Sequence, residues 1–331
     1  MQLKKEKDVY IVTGGAGFIG SGFVWKLNRM GVSDIFVVDN LGQSEKWKNL
    51  VNLKFLDFVH KLSFIELLEK NKFPKIKAIV HMGACSSTTE KNADYLMVNN
   101  LHYSQSIARY CQEKKIRLIY ASSAATYGDG QNGFSDDPGR LEYLRPLNMY
   151  GYSKHLFDLW LARRGWPARI VGLKFFNIFG PNEYHKEEMQ SVVRKACIHI
   201  KETGKVSLFK SHHPDYAHGE QKRDFLYLKD CLEVMFWLLE NPEVKGVFNL
   251  GSGQARSWNE LVGAVFDALG MKPNISYIDM PRAIRSKYQY YTQAEMDRLA
   301  AAGCPLDFQG LERGVHDYVQ NYLEKKDPYL S

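Results

Sequence analysis

Short apolar runs alternate with longer amphipathic segments through the first half of the chain. The amphipathic segments, with apolar residues at helical spacing, cover 18–30, 92–114 and 150–164. The apolar runs are VYIVT (9–13), IFVVD (35–39), LKFLD (53–57), KAIVHM (77–82), IRLIYAS (116–122) and RIVGLKF (169–175). Continuous apolar runs separated by helices are typical of parallel strands joined by right-handed crossovers. The pattern therefore predicts an α/β fold, a Rossmann-type doubly wound parallel sheet with a smaller α/β lobe.

The pattern loosens after about residue 176, where polar loops separate the apolar runs. VFNLG (247–251) returns to strand character, and SWNE (257–260) and TQAE (292–295) have the capping-box pattern that predicts a helix start. We therefore expect two interleaved units. The first unit is predicted over 1–176 plus about 222–252. The second is predicted over about 177–221 and 253–331.

Composition and charge narrow the functional classes. Of the 331 residues, 45% are hydrophobic and 24% are charged, which are ordinary globular values. The formal net charge of +7 is spread along the chain, so we expect anionic small molecules and no nucleic acid as partners. The apolar run near the N-terminus is too short for a signal peptide, and no run reaches the roughly 18 apolar residues of a membrane span. Five widely spaced cysteines favour a reducing compartment, so the sequence predicts a cytoplasmic protein without membrane contact.

A glycine-rich turn follows the first predicted strand. Gly14, Gly17 and Gly20 stand between that strand and the first helix, and Asp39 ends the second strand. This order is typical of a dinucleotide site, because side chains in the turn would hold the pyrophosphate away from the helix amides. The first unit is therefore predicted to be the dinucleotide-binding domain, and the second the substrate-binding domain.

The acidic residue and the lysines near it leave the choice of dinucleotide open. A carboxylate at Asp39 favours NAD, whereas Lys46 and Lys61 are placed to meet the 2′-phosphate of NADP. Asp57, taken to close the third strand, is a candidate contact for the adenine amino group.

A serine, a tyrosine and a lysine form the predicted catalytic set. Ser123 ends the fifth predicted strand, on the side where parallel sheets bind ligands. Tyr150 and Lys154 are four residues apart, on one helix face. A phenol has a pKa of about 10, and we expect the Lys154 ammonium to lower it so that the phenolate accepts a proton from a substrate hydroxyl. The histidines of the 210–221 loop match no zinc spacing, so no metal site is predicted.

The motifs together resemble a known family. The turn and the Tyr-x-x-x-Lys pair are similar to those of extended short-chain dehydrogenases/reductases, which include nucleotide-sugar epimerases. The longer sequences GACSSTTE, YASSAATYG, NMYGYSK, QKRDF and YQYYTQAEM resemble the ADP-L-glycero-D-manno-heptose 6-epimerase family. That resemblance implies epimerisation of ADP-heptose at C-6″ through a transient carbonyl, with tightly bound NADP or, alternatively, NAD. It also implies a role in lipopolysaccharide inner-core heptose synthesis and a homo-oligomer, namely a homopentamer.

The resemblance also implies functional residues. It makes Lys186 a second acid/base group beside Tyr150. The implied cofactor contacts, beyond the glycines and Asp39, are Phe18, Ile19, Asn40, Lys46, Lys61, Met82, Gly83, Ala84, Cys85, Ser86, Asn99, Lys154, Ile178 and Lys186. The implied substrate contacts are Ser123, Asn177, Glu188, Lys195, Phe209, Lys210, Ser211, Arg223 and Tyr288.

Two other functions remain open at this stage. One is a different NAD(P)-dependent nucleotide-sugar enzyme of the same class, either a 4-epimerase or a dehydratase. Dehydratases of this class usually carry an Asp-Glu pair after the strand-end hydroxyl, where this chain has Ala124 and Ala125. The other is a dinucleotide sensor without catalysis, which the presence of both Tyr150 and Lys154 disfavours.

Overall fold

A computed structural model describes residues 8–285 and 288–331. Residues 1–7, at the start of the predicted dinucleotide-binding unit, and residues 286–287 lie outside the described residues. The strands are β1 (Val9–Thr13), β2 (Ile35–Asp39), β3 (Asp57–His60), β4 (Ile76–His81), β5 (Arg117–Ser123), β6 (Ile170–Phe175), β7 (Asn177–Phe179), β8 (Val206–Phe209), β9 (Lys222–Tyr227), β10 (Gly246–Leu250), β11 (Ala255–Ser257) and β12 (Ile275–Ile278). The α-helices are α1 (Phe18–Arg29), α2 (Lys61–Glu69), α3 (Ala93–Leu96), α4 (Tyr103–Lys114), α5 (Met149–Ala162), α6 (Val192–Thr203), α7 (Leu228–Glu240), α8 (Trp258–Ala268), α9 (Arg282–Arg285), α10 (Asp297–Ala301) and α11 (Leu311–Tyr318).

The central layer of the described chain is a seven-stranded parallel sheet in the order β10-β6-β5-β4-β1-β2-β3. Apolar side chains of α1 and α7 pack on one face, and those of α2, α4 and α5 pack on the other. Both faces are therefore buried, which explains why the strands are continuous apolar runs. The predicted α/β doubly wound fold is confirmed.

The third strand lies later in the chain than predicted. The apolar run at 53–57 is not a strand; β3 begins at Asp57, which pairs with Phe36 at the start of β2. The sequence alone did not distinguish the apolar run from the strand, because Leu53 is buried in the core although it precedes the strand. Asp57 therefore lies at the amino end of its strand, away from the ligand-binding edge of a parallel sheet.

A second group of elements surrounds a separate apolar cluster. Strands β7, β9 and β11 form a three-stranded sheet, while β8 and β12 pair in parallel. Their core contains Val193 and Ile200 of α6, Val265 of α8, and Val315 of α11. Helix α8 begins with the predicted capping box, in which Ser257 and Glu260 bond each other's backbone amides.

The helix start predicted at 292–295 is not found there. Thr292 instead accepts a hydrogen bond from the backbone of Asp224 in β9, and Ala294 N donates to the Asp224 carboxylate. This buried pairing fixes the segment against β9, and α10 begins only at Asp297. Across the described ranges, none of the helices has both the length and the apolar character that crossing a bilayer requires.

Candidate active site

A cleft of about 1030 Å³ opens at the carboxyl ends of the central strands. Its walls come from the glycine-rich turn, the ends of β4 and β5, the start of α5, the 175–193 segment and residues around Arg223. The position agrees with the rule that parallel α/β sheets bind ligands beyond the carboxyl ends of their strands.

The glycine-rich turn forms one end of this cleft and fits a dinucleotide phosphate. Gly14 adopts φ +64°, and a Cβ there would lie 2.6 Å from the backbone nitrogen of Gly83. At Gly20, a Cβ would lie 2.0 Å from the Gly14 carbonyl oxygen. Helix α1 starts directly after the turn and has no acidic residue in its first turn, so its amide end can attract an anion.

Both oxygens of the Asp39 carboxylate have partners within the protein. One oxygen accepts from Ala16 N at 2.9 Å, and the other accepts from Asn40 N and from the Lys46 ammonium, each at 2.7 Å. A side pocket of about 140 Å³ adjoins Asp39 and contains Asn40, Lys46, Lys61, Cys85 and Asn99. Lys61 donates to Asn99 Oδ1 at 2.7 Å. The side pocket is therefore lined by two lysine ammonium groups and one carboxylate, that of Asp39.

The three predicted catalytic residues converge on the middle of the cleft. Ser123 ends β5, Tyr150 lies in the first turn of α5, and Lys154 follows one turn later. The Asn148 side chain accepts from Gly151 N and caps α5, which fixes the start of the helix. The Lys154 ammonium donates to the Ala121 carbonyl at 2.8 Å, and the Ser123 hydroxyl accepts from Ala125 N at 3.1 Å.

The pKa of Tyr150 is raised, contrary to the prediction. Burial raises it, while the hydrogen bond with Ser123 lowers it in part. Lys154 does not supply the expected lowering, because its ammonium is bound to Ala121 and burial lowers its own pKa to about 8, against an opposing effect of Asp158. Without a ligand, Tyr150 therefore remains a neutral phenol at neutral pH.

A buried polar cluster supports the strand end from behind. Asp158, one turn after Lys154, accepts hydrogen bonds from Tyr120, Ser122 and Lys174 at 2.7–2.8 Å. Asp158 and Lys174 are both fully buried and form an ion pair. The cluster joins α5 to β5 and β6, so it orients the backbone that carries Ser123.

A second buried chain of hydrogen bonds connects β1 to β4 through His81. Ser104 donates its hydroxyl hydrogen to Asn100 O, so it accepts from His81 Nε2 at 2.9 Å. His81 Nδ1 then accepts from Thr13 at 2.6 Å, and Thr13 accepts from Gly83 N at 3.3 Å. The imidazole is thus held neutral, and burial lowers the pKa of His81 to about 3.

This depressed pKa predicts acid sensitivity. The unfolded chain binds a proton on His81 near pH 6.5 and the folded chain does not, so stability present above about pH 6.5 is lost as the pH falls towards 3. We expect up to about 1.4 kcal/mol of unfolding free energy per pH unit from this group. Urea unfolding between pH 7 and 4 measures it. His81→Asn should flatten the slope, leaving the contributions of His155, whose pKa burial lowers, and of His185, whose pKa burial lowers to about 4. A slope unchanged in His81→Asn would contradict the assignment; exposed His199→Asn is the matched control.

Lys186 also lines this cleft. Its ammonium is 5.0 Å from the centre of the Phe18 ring, at the start of α1. Burial lowers the pKa of Lys186, and the buried Glu183 carboxylate partly opposes that shift. His185 also lines the cleft, and its Nδ1 is 3.2 Å from Asn49 Nδ2.

Arg223 provides a buried cation in the cleft. Its side chain bonds the carbonyls of Lys222 and Gln289 and lies 5.2 Å from the Tyr288 ring and 5.8 Å from the Trp258 ring. No described carboxylate forms an ion pair with it. The neighbouring Asp224 instead accepts backbone bonds from Ser252, Gly253 and Ala294. Arg223 is therefore available to an anionic ligand.

Most of the predicted site residues line the two cavities. Those in the cleft are Gly14, Gly17, Phe18, Ile19, Gly20, Asp39, Lys46, Met82, Gly83, Ala84, Ser86, Ser123, Tyr150, Lys154, Asn177, Ile178, Lys186, Arg223 and Tyr288. Asn40, Lys61, Cys85 and Asn99 line the side pocket.

Six predicted residues lie outside both cavities. Asp57 is exposed at the amino end of β3, so the prediction that it closes a strand beside the adenine is wrong. Glu188 and Lys195 lie on the surface and pair with each other.

Phe209 ends β8, and Lys210 and Ser211 follow it, outside the cleft. The Phe209 carbonyl accepts from Gln221, Lys210 is 3.4 Å from Asp279, and the Ser211 hydroxyl donates to the His213 carbonyl. The structure thus places these three residues, like Glu188 and Lys195, apart from the catalytic set.

Several cleft residues were not predicted. His185, Asn148, Trp258 and Gln289 line the cleft from four separate segments. His185 directly precedes Lys186 and was within reach of the sequence argument. Trp258 was not, because its place beside Arg223 depends on the pairing of β9 with β11.

Comparisons with known proteins agree with this geometry. The model of the NAD dependent epimerase/dehydratase family matches residues 10–251. ADP-L-glycero-D-manno-heptose-6-epimerase from Nitratidesulfovibrio vulgaris (strain DP4) is 59% identical over 323 residues, covering 97% of this chain and 100% of that protein. The protein of the same name from Fusobacterium nucleatum is 46% identical and covers 97% of this chain and 99% of its own length.

A solved structure is similar to this chain in fold. The crystal structure of Helicobacter pylori ADP-L-glycero-D-manno-heptose-6-epimerase aligns with a TM-score of 0.80 at 27% identity, covering 97% of this chain and 98% of that chain. The cofactor is accordingly a nicotinamide dinucleotide. With its Rossmann-type sheet, glycine-rich turn and Ser-Tyr-Lys set, the chain belongs to the NAD dependent epimerase/dehydratase family and, within it, to the heptose 6-epimerases.

Proposed function

We propose that the chain converts ADP-D-glycero-β-D-manno-heptose to ADP-L-glycero-β-D-manno-heptose by inverting C-6″. The observation that carries this proposal is the presence of two proton-transfer groups, Tyr150 and Lys186, on separate elements lining one cleft. Inversion through a carbonyl requires one group to remove the proton of the hydroxyl and a group at a second position to return a proton to the same oxygen after the carbonyl has turned. The names of the close relatives supply the identity of the substrate.

Tyr150 is proposed as the first acid/base group. It accepts the proton of the 6″-hydroxyl as the C–O bond becomes a carbonyl, and Ser123 hydrogen-bonds the same oxygen. When bound, the nicotinamide cofactor supplies reversible oxidation of an alcohol to a carbonyl and, in its oxidised form, a positive charge. A positive charge beside Tyr150 would lower the pKa of its phenol and favour the phenolate, which is the form that accepts the proton.

Lys186 is proposed as the second acid/base group. After the carbonyl has turned to present its other face, Lys186 donates a proton to the oxygen, and the hydroxyl re-forms with inverted configuration. Burial of the ammonium favours the neutral amine, which helps Lys186 to release its proton.

Arg223 is proposed to bind the diphosphate of the substrate, because a guanidinium matches phosphate oxygens in geometry and charge. Tyr288 and Trp258 flank it and limit its movement.

The division into a dinucleotide-binding unit (1–176 and about 222–252) and a substrate-binding unit (about 177–221 and 253–331) stays a prediction. Strand β10 belongs to the central sheet, which supports the division. Strand β9 was assigned to the dinucleotide-binding unit but pairs with β7 and β11 in the three-stranded sheet, which does not support it.

We propose NADP as the specific dinucleotide. Lys46 already neutralises Asp39, and Lys61 adds a second cation to the side pocket. A 2′-phosphate in that pocket would therefore meet two ammonium groups and no unpaired carboxylate.

Replacement of these lysines tests the choice of cofactor. Lys46→Ala and Lys61→Ala should each weaken NADP binding about tenfold or more, the expected loss of a charge-assisted hydrogen bond, and affect NAD less. Cofactor released from the denatured wild-type protein, separated by chromatography, should be mainly NADP. Exposed Lys72→Ala is the control for lost charge. Equal effects on NADP and NAD, or a pool of pure NAD, would contradict the proposal.

A panel of nucleotide sugars tests the proposed reaction. The protein should invert C-6″ of ADP-heptose, followed by proton NMR, and leave GDP- and UDP-sugars unchanged. Epimerisation at C-4″ of a UDP-sugar would instead identify another nucleotide-sugar epimerase. A function in lipopolysaccharide inner-core heptose synthesis, a cytoplasmic location and a homopentameric assembly remain predictions that follow from this assignment.

A further inference from the structure

Lys186 lies in a loop, residues 182–191, whose two ends are joined by hydrogen bonds between Glu183 and Ser191. Both carboxylate oxygens of Glu183, which is fully buried, accept from Ser191, at 2.5 Å from its backbone nitrogen and 2.6 Å from its hydroxyl. Lys186 N donates to Glu183 O at 3.0 Å. The loop therefore behaves as one unit whose placement sets that of the Lys186 ammonium.

Asn182 anchors this loop to the glycine-rich turn and α1. It is fully buried and adopts φ +74°, a left-handed conformation that asparagine tolerates better than most residues. Its side-chain nitrogen donates to Ser21 Oγ at 2.9 Å, and Ser21 in turn donates to Phe18 O. Its backbone oxygen accepts from Asn49, which also donates to Ala16 O. One residue thus ties the loop to the turn of helix over which the Lys186 ammonium lies.

The last five residues of the sequence, 327–331, pack against the same loop and are called the strap here. Leu330 is fully buried, and its backbone nitrogen donates to Asn182 Oδ1 at 3.0 Å. Tyr184 donates to Pro328 O at 2.6 Å, and the Tyr184 and Tyr329 rings meet edge to face at 5.1 Å.

Further bonds hold the strap to the dinucleotide-binding side of the molecule. Trp25 Nε1 of α1 donates to Ser331 O at 3.0 Å, and Asn52 donates to Asp327 at 3.1 Å. The strap is therefore fastened both to α1 and to the loop, and the mechanism above gives it no role.

We propose that the strap and Asn182 are positioning elements that hold Lys186 against the cleft, so that the second proton transfer depends on residues 327–331. This inference rests on the proposed role of Lys186. Asn182 exchanges one hydrogen bond with the strap and one with α1, so losing its side chain frees the loop on both sides. The loosened loop admits water to Lys186, whose ammonium is then less desolvated.

Asn182→Gly is the direct test, because glycine keeps the left-handed backbone and removes only the side-chain bonds. We expect kcat for epimerisation to fall about tenfold to a hundredfold, as for a displaced catalytic group, with KM changed less than about twofold. The alkaline limb of the pH–rate profile, where the Lys186 ammonium loses its proton, should move to higher pH. Hydrogen exchange over 183–191 should increase while the bound cofactor content stays constant. Leu330→Ala should act in the same direction.

A matched control separates positioning from general destabilisation. Leu68→Ala removes an equally buried leucine from α2, on the opposite face of the sheet. It should lower thermal stability without shifting the pH–rate limb. If Asn182→Gly does not fold, Tyr184→Phe, which deletes the bond to Pro328 and keeps the ring, takes its place with the same expected limb shift.

Two results overturn the inference in distinguishable ways. If Lys186→Met abolishes epimerisation while Asn182→Gly and Leu330→Ala keep the wild-type kcat and pH profile, the strap has no positioning role and the proposed function stands. If Lys186→Met epimerises normally, the role of Lys186 itself fails, and the inference fails with it.

Discussion

Replacing Tyr150 with phenylalanine is expected to lower kcat for epimerisation by about 10²- to 10⁴-fold, the usual contribution of a positioned acid/base group. The substitution removes only the hydroxyl that Ser123 bonds and leaves the ring in the first turn of α5. Cofactor should remain bound, because the glycine-rich turn and the side pocket are untouched. Steady-state kinetics with NMR detection of C-6″, together with the absorbance of released cofactor, measures both effects.

The neighbouring tyrosine provides the matched control for this experiment. Tyr152 lies two residues further along the same helix and is 46% exposed, outside the cleft. Tyr152→Phe should retain the wild-type kcat. A Tyr150→Phe variant that turns over like the wild type would remove Tyr150 from the mechanism.

Lys186→Met should nearly abolish epimerisation, again by about 10²-fold or more, since one of the two proton transfers loses its group. Methionine keeps much of the side-chain length and its contact with Phe18, so the loop should remain in place. The variant should still process a 6″-aldehyde analogue in a half-reaction that needs only Tyr150. Separate assays of epimerisation and of the aldehyde reaction distinguish these effects.

An exposed lysine serves as the control for charge removal. Lys205 follows α6 on the surface, outside the cleft, and Lys205→Met should epimerise at the wild-type rate. Normal epimerisation by Lys186→Met would mean that the second group is another residue of the cleft, with His185 the nearest candidate in sequence.

The central sheet was predictable because its strands are buried on both faces. A run such as VYIVT then carries the signal by itself, and β1 spans Val9–Thr13 as expected. The third strand was misplaced because only Val59 of its four residues is buried. At this edge of the sheet, Leu53 packs in the core without belonging to a strand, so the apolar run in the sequence does not mark the position of the strand.

The catalytic set was predictable in position and less so in electrostatics. The order of Ser123, Tyr150 and Lys154 along the chain places all three at the cleft. The pKa of Tyr150, however, depends on where the Lys154 ammonium is bound, and its partner is the Ala121 carbonyl 33 residues earlier. Contacts of this kind depend on the packing of α5 against β5 and cannot be obtained from helical spacing.

The chemistry after the strand-end serine separates two reaction types. Ala124 and Ala125 line the cleft directly after Ser123. Neither side chain can donate or accept a proton, so elimination of water lacks its usual acid and base there. This local feature, visible in both sequence and structure, favours epimerisation over dehydration.

The central claim is that Tyr150 and Lys186 exchange protons with the substrate oxygen and never with the carbon. Epimerisation of ADP-heptose in D₂O, followed by proton NMR at C-6″, tests it most directly. The account predicts an inverted product whose C-6″ hydrogen contains no solvent deuterium. Deuterium incorporated at C-6″ would show that a protein base removes the carbon-bound proton, and would contradict the account.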